Sequence, residues 1–217
     1  MQFRAVCFDL DGTLLDSLAD LAFCTNEILW KRGFPKHDLE KFRYFIGDGA
    51  RNLITRALPE RIRDKKIIEE CLVDFEKTYR ENWDINTLPY KGIPELLDAL
   101  QRLGFKLTIL SNKPHEFTLL TVENLLHNWD FDVVLGQNKK YKKPDPAGFF
   151  EISKKLKIPS EEFIFLGDTG IDMKTAVAAG CFPVGALWGF RHEKELINNG
   201  ARALVKNPIE ILDLLDV

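Results

Sequence analysis

Five short runs of this chain, residues 5–8, 106–110, 133–135, 163–166 and 183–187, are apolar at almost every position. A strand with one wet face alternates polar and apolar residues. Runs apolar on both faces need cover on both sides, which a parallel sheet lying between two layers of helices provides. The intervening stretches carry helical periodicity. Residues 94–103 open with Pro94 and stop at Gly104, the start and stop asymmetry of a helix, and 114–126, 145–156 and 170–179 read similarly. The alternation predicts an α/β fold, a doubly wound (Rossmann-like) parallel sheet with strand order 3-2-1-4-5.

One interval breaks the alternation. Residues 16–86 hold no strand-like run and only helical periods, with Ile67, Ile68, Cys71, Leu72, Phe75, Tyr79 and Trp83 forming one stripe. A second helix is expected near 18–31, where Leu21, Ala22, Thr25, Ile28 and Leu29 recur at the same spacing. A stretch this long is not an ordinary loop. The expected organisation is therefore an α/β core from residues 1–15 plus 87–217, with an α-helical cap, residues 16–86, inserted after the first strand. Hinges are expected near 14–17 and 86–90.

Composition narrows the function classes. Thirty basic against 33 acidic residues leave a net charge of −3, so no overall basic field attracts nucleic acid. The longest uncharged run, 175–190, is too short to span a bilayer and is broken by Gly180, Pro183, Gly185 and Gly189. Asp9 arrives before an apolar leader develops, so no secretory peptide is expected. Cys7, Cys24, Cys71 and Cys181 lack metal-ligand spacing and sit among apolar neighbours, as expected for reduced core thiols in a cytoplasmic protein. The expected partner is a small molecule, with no nucleic acid and no membrane, and the chain is expected to be a monomer or dimer.

The chemistry-bearing residues fall at strand ends, where ligands bind in open parallel sheets. The first strand runs into Asp9-Leu-Asp11-Gly12-Thr13. If the strand stayed regular, both carboxylates would share a face, an arrangement that becomes reasonable beside a hard cation such as Mg²⁺. Gly167-Asp168-Thr169 follows another apolar strand, with Asp172 next. Helix capping alone explains Thr169 and Asp172, and a first-turn acid suits the helix dipole. With the expected strand order, however, Asp9, Asp11 and Asp168 meet at one crevice. Ser111-Asn112 ends the second strand and Lys143 precedes a helix, offering donors to phosphate oxygens. Together these parts fit phosphoryl transfer to a carboxylate nucleophile, with a second carboxyl as acid and base and a hinged lid to exclude water.

Asp9-Leu-Asp11-Gly12-Thr13, Ser111-Asn112, Lys143-Pro144 and Gly167-Asp168-Thr169-Gly-Ile-Asp172 resemble, in order and across the whole chain, the four motifs of the haloacid dehalogenase-like hydrolase superfamily. The resemblance implies Asp9 as nucleophile and Asp11 as general acid/base. It implies Mg²⁺ held by Asp9, the Asp11 backbone carbonyl and Asp168, with Asp172 supporting the metal site. Ser111 and Lys143 would hold the phosphoryl group, with Thr13 and Asn112 as further phosphate-positioning residues.

Asp11 stands where dehalogenases lack an aspartate, which favours phosphatase chemistry. The β-phosphoglucomutase branch is similar but has a histidine where this chain has Leu21. The cap segment Ile46-Gly47-Asp48-Gly49-Ala50-Arg51, Ser-Asn-Lys113 and Trp188-Gly189-Phe190-Arg191 resemble phosphoglycolate phosphatases, making Gly47, Asp48, Gly49 and Arg51 candidate cap residues at the substrate. A tight turn between cap helices is the alternative for the two glycines. Asp48 departs from that branch, and its charge would oppose a carboxylated substrate unless Arg51 or the cation offsets it. The expected function is thus Mg²⁺-dependent hydrolysis of small phosphate monoesters through an aspartyl-phosphate, with phosphoglycolate the leading substrate. A phosphomutase, a nucleotide or pyrophosphate phosphatase, and a non-catalytic interaction protein are the alternatives.

Overall fold

The structure, a computed structural model, describes residues 3–215. Positions 1–2 and 216–217 of the expected core lie outside the described residues. Strand β1 (Ala5–Phe8) leads through β2 (Leu15–Asp16) into helices α1 (Leu18–Lys31), α2 (Leu39–Phe45), α3 (Ala50–Ala57) and α4 (Lys65–Asn82). The chain returns through β3 (Leu88–Pro89), α5 (Ile93–Arg102), β4 (Lys106–Pro114), α6 (His115–Leu125) and β5 (Val133–Gln137). It finishes with α7 (Ala147–Leu156), β6 (Phe163–Gly167), α8 (Gly170–Ala179), β7 (Phe182–Ala186), α9 (Glu193–Asn198) and β8 (Ala203–Val205).

The main sheet has the order β5-β4-β1-β6-β7-β8, and every recorded pairing in it is parallel. This is the doubly wound α/β fold with the expected 3-2-1-4-5 order, extended by β8 beyond β7. The two-sided apolar runs pack as their composition requires. Val6 and Phe8 of β1 join Ile164 and Leu166 in one core cluster with Ile93, Leu97 and Leu100 of α5. Ala5 and Cys7 face the other way, onto Phe163, Phe165, Phe149 of α7 and Ala176 of α8. The order reverses between β4 and β6, on either side of β1, so the C-terminal ends of these three strands frame the crevice.

Helices α1 to α4 build a separate cluster from Leu21, Ile28, Phe42, Leu53, Cys71 and Phe75, which also takes in Phe117 of α6 and Phe190. Helix α4 begins at Asp64, whose side chain accepts from the amides of Lys66 and Ile67. The two passages between this segment and the sheet run side by side, because β2 and β3 pair antiparallel, Leu15 with Pro89 and Asp16 with Leu88. All four cysteines are buried and free. No helix among the described residues is long and apolar enough to cross a membrane.

Candidate active site

Strand β1 stops at Phe8, so Asp9 and Asp11 occupy a turn and not a regular strand. The turn is closed by Leu14 N donating to Leu10 O at 3.0 Å and Gly12 N to Leu15 O at 2.9 Å. Gly12 has φ +86°, and a Cβ there would run into the Asp168 carboxylate and the Phe190 ring. Only glycine lets the turn lie against Asp168. The carboxylates of Asp9 and Asp11 then part company. Asp9, 4% exposed, accepts on Oδ1 from Leu10 N at 2.7 Å and from Lys143 Nζ at 2.8 Å. Asp11 instead faces Lys113, whose Nζ lies 3.1 and 3.2 Å from its two oxygens. This corrects the shared-face expectation, although both acids line one cavity.

Strand β6 delivers Asp168, fully buried, which accepts from Thr13 Oγ1 at 2.9 Å and from Phe190 N at 2.8 Å. Thr169 caps α8 in a capping box with Asp172, so the capping reading of these two residues holds. Asp172 has a second attachment as well, since its Oδ1 accepts from Lys143 Nζ at 2.6 Å. Oxygens of Asp9, Asp168 and Asp172 lie within 4.8 Å of one another, all three residues being buried. Three buried acids thus crowd together against one ammonium, Lys143, which pairs with two of them, Asp9 and Asp172.

The electrostatics follow from that imbalance. Burial, then the charge of Asp172, holds Asp9 well above the usual carboxylate range, and Lys143 only partly offsets them. Burial and Asp172 likewise push Asp168 up to about 7. Lys143 is itself opposed by burial, but Asp172 and Asp9 more than compensate and raise its pKa, fixing its charge. A pocket of crowded carboxylates with raised pKa values requires protons or a cation, and an all-oxygen donor set suits a hard divalent ion. The residues present therefore fit a metal. The carboxylates grouped here are Asp9, Asp168 and Asp172; the carboxylate of Asp11 is directed elsewhere.

Thr13 is spent on Asp168, and Ser111 Oγ accepts from Lys113 N at 3.2 Å. Asn112 acts as a clamp: its Oδ1 accepts from Lys143 N at 2.8 Å and its Nδ2 donates to Lys143 O at 3.1 Å. The cavity, about 50 Å³, is lined by Asp9, Asp11, Ser111, Asn112 and Lys113 from the sheet. Gly47, Gly49, Phe75 and Tyr79 line it from the helices. Asp48 and Arg51 are absent from the lining. Arg51 pairs with exposed Glu69 at 2.7 Å, while the charge of Asp48 is offset by Arg56 at 3.1 Å and Lys142 at 3.2 Å. The glycines form the turn between α2 and α3 and also approach the site. Lys113 and Tyr79, neither assigned a role from the sequence, meet at 2.6 Å through Nζ and the phenol oxygen.

The family model described as haloacid dehalogenase-like hydrolase matches residues 6–186 of this chain. The chain belongs to the haloacid dehalogenase-like hydrolases. Each residue from Asp9 through Asp172 in the site just described lies within the matched span. A phosphoglycolate phosphatase of Pseudomonas syringae pv. tomato is 32% identical over 215 residues, covering 97% of this chain and 76% of that protein. A phosphoglycolate phosphatase of Aquifex aeolicus is 34% identical, with 86% of each chain covered. Among solved structures, one from Lactobacillus delbrueckii subsp. bulgaricus superposes with a TM-score of 0.93 at 28% identity, covering 99% of both chains. This haloacid dehalogenase-like hydrolase thus shares its architecture from end to end with that structure.

Proposed function

We propose that the chain is a phosphoric monoester hydrolase that uses Mg²⁺ and cleaves small phosphorylated metabolites through a phosphorylated Asp9, with phosphoglycolate as leading substrate. The observation that carries this reading is the fixing of Asp9. With Oδ1 held by Leu10 N and Lys143 Nζ, Oδ2 is the oxygen left to attack phosphorus. The new bond joins Asp9 Oδ2 to phosphorus as the ester oxygen departs, and Asp11 supplies that oxygen with a proton. Asp11 then takes a proton from the water that attacks the phosphoenzyme, releasing inorganic phosphate and restoring Asp9. Lys143, held by Asp172 and by the Asn112 clamp, keeps a positive charge beside the nucleophile, and Ser111 faces the same cavity. Asp9, Asp168 and Asp172, with the Asp11 backbone carbonyl, would hold Mg²⁺, which supplies charge neutralisation to the phosphoryl oxygens.

In this reading residues 16–86 act as a cap over the core of residues 1–15 and 87–217, excluding water when the cavity is closed. Leu21 lines the cavity, so an aliphatic side chain stands where the mutase branch has its histidine, which favours hydrolysis over transfer. The test is a panel of phosphoglycolate, sugar phosphates, nucleotides and pyrophosphate, assayed for released phosphate with Mg²⁺. Asp9→Asn is expected to lower turnover by roughly 10³-fold or more with the fold retained, as removal of a nucleophile does. Near-normal release by that variant, or isomerised sugar phosphate without release, would contradict the proposal.

A further inference from the structure

Lys113 lies deep in the cavity with no part in the chemistry above, and it is the one cation among the described residues lining that space. Its side chain is 3% exposed. An ammonium so far from water must be surrounded by acceptors. It has three, from two residues far apart in sequence: both oxygens of Asp11, and the hydroxyl of Tyr79 on α4. The Tyr79 ring also faces Nζ, at 4.8 Å from its centroid. Burial pushes the Tyr79 hydroxyl up to about 12, so it partners Lys113 as a neutral group and leaves the charge to be matched by a carboxylate. In this arrangement that carboxylate is Asp11, gripping the ammonium through both oxygens.

We infer that Lys113 and Tyr79 form the receptor for a second anionic group, a carboxylate on the leaving portion of the substrate, with Asp11 occupying its place in the arrangement described. The inference rests on the phosphatase reading and adds to it the residues that select the substrate. A substrate carboxylate entering beside Lys113 takes over its charge, and the Asp11 side chain, freed from the ammonium and carrying a proton taken from solvent, turns toward the ester oxygen. An uncharged leaving portion has nothing to exchange, so Asp11 stays with Lys113. Selectivity is therefore expressed in kcat as well as in KM.

The test compares phosphoglycolate with its neutral amide, phosphoglycolamide, in the wild-type chain and in Lys113→Met and Tyr79→Phe. The wild type is expected to prefer the acid in kcat/KM, with part of the preference in kcat. That preference is expected to fall roughly a hundredfold in Lys113→Met, as when a site built for a polar group loses its partner. In Tyr79→Phe, which keeps the ring packing, it is expected to fall by less. A variant that loses both activities in proportion, leaving the ratio unchanged, would reduce Lys113 to a holder of Asp11 and overturn the inference. A wild type indifferent to the substrate charge would overturn it equally. Release of inorganic phosphate by the wild type from any member of the substrate panel, the acid included, reports on the phosphatase reading separately, and its absence from all of them overturns both.

Discussion

Asp168 shows how a single side chain carries the tension of the site. Burial and the Asp172 charge raise it from 3.8 to about 7, so the folded chain holds its proton more tightly than the unfolded chain does. Without a divalent ion, stability should therefore decline as pH climbs from about 4 to about 7 and then level off, because only the native state keeps the proton across that window. Mg²⁺ relieves the same crowding without a proton. It is expected to raise the thermal midpoint more at about pH 8 than at about pH 5, relative to chelated protein. Equal gains at both pH values in thermal melts would argue that the ion is not among these acids. Asp9, Asp168, Asp172 and Lys143 were legible in the sequence because each falls at a strand end or a helix start. Tyr79 was not: it shares an apolar stripe with Cys71 and Phe75, and no pattern tells a core ring from one whose hydroxyl meets a lysine. The true partners of Asp48 were hidden too, since Arg56 and Lys142 reach it only once helices and sheet are docked.

Among elements, the junction of α1 with the returning chain is held by one buried acid. Asp20, 1% exposed, accepts from the amides of Asn86 and Thr87 at 2.9 and 2.8 Å, and from Asn86 Nδ2 and Thr87 Oγ1 at 2.8 and 2.7 Å. Asp20→Ala leaves those donors without a charged acceptor and should cost about 2–3 kcal/mol in urea unfolding. A loss within about 0.5 kcal/mol, the range of ordinary surface changes, would show that the junction is held by other contacts. The periodicity located α1, α5, α8 and the stripe of α4 closely, because each has a cap, a Pro or a Gly at its border. It missed β8, whose three residues are too few to display a period. The apolar run of β4 stops at Leu110 and the sequence reads Ser111-Asn112 as its end, whereas the strand continues through Lys113 to Pro114, with a shift in register between Leu110 and Pro114. These polar side chains are the strand end that reaches the cavity.

At the scale of the whole molecule, the helices meet the sheet side through Phe117 and Phe190 and through a few polar contacts around the cavity. Arg43 donates to Gly189 O at 3.0 Å, Arg191 to Ile46 O at 2.9 Å, and Asn112 to Gly47 O at 3.4 Å. Gly49 sits in the middle of this seam with φ +82°, and a Cβ on it would meet Gln137 Oε1 at 2.5 Å and Asn112 O at 3.4 Å. Gly49→Val combines a strained backbone with a wedge between the two parts, so it is expected to reduce kcat/KM by about tenfold or more, as small misplacements in a closed site do. Circular dichroism should be unchanged while activity falls. Wild-type kinetics in that variant would mean that this seam does not govern closure.

The antiparallel pairing of Leu15–Asp16 with Leu88–Pro89 has a consequence for how such a molecule can diversify. Because the departing and returning strands lie shoulder to shoulder, the chain enters and leaves the helical unit at a single clip. Another insert, or a bare reverse turn, would join the same two ends without rethreading any strand of the main sheet, so under the proposed function the cap could be exchanged while the acids at the strand ends keep their places.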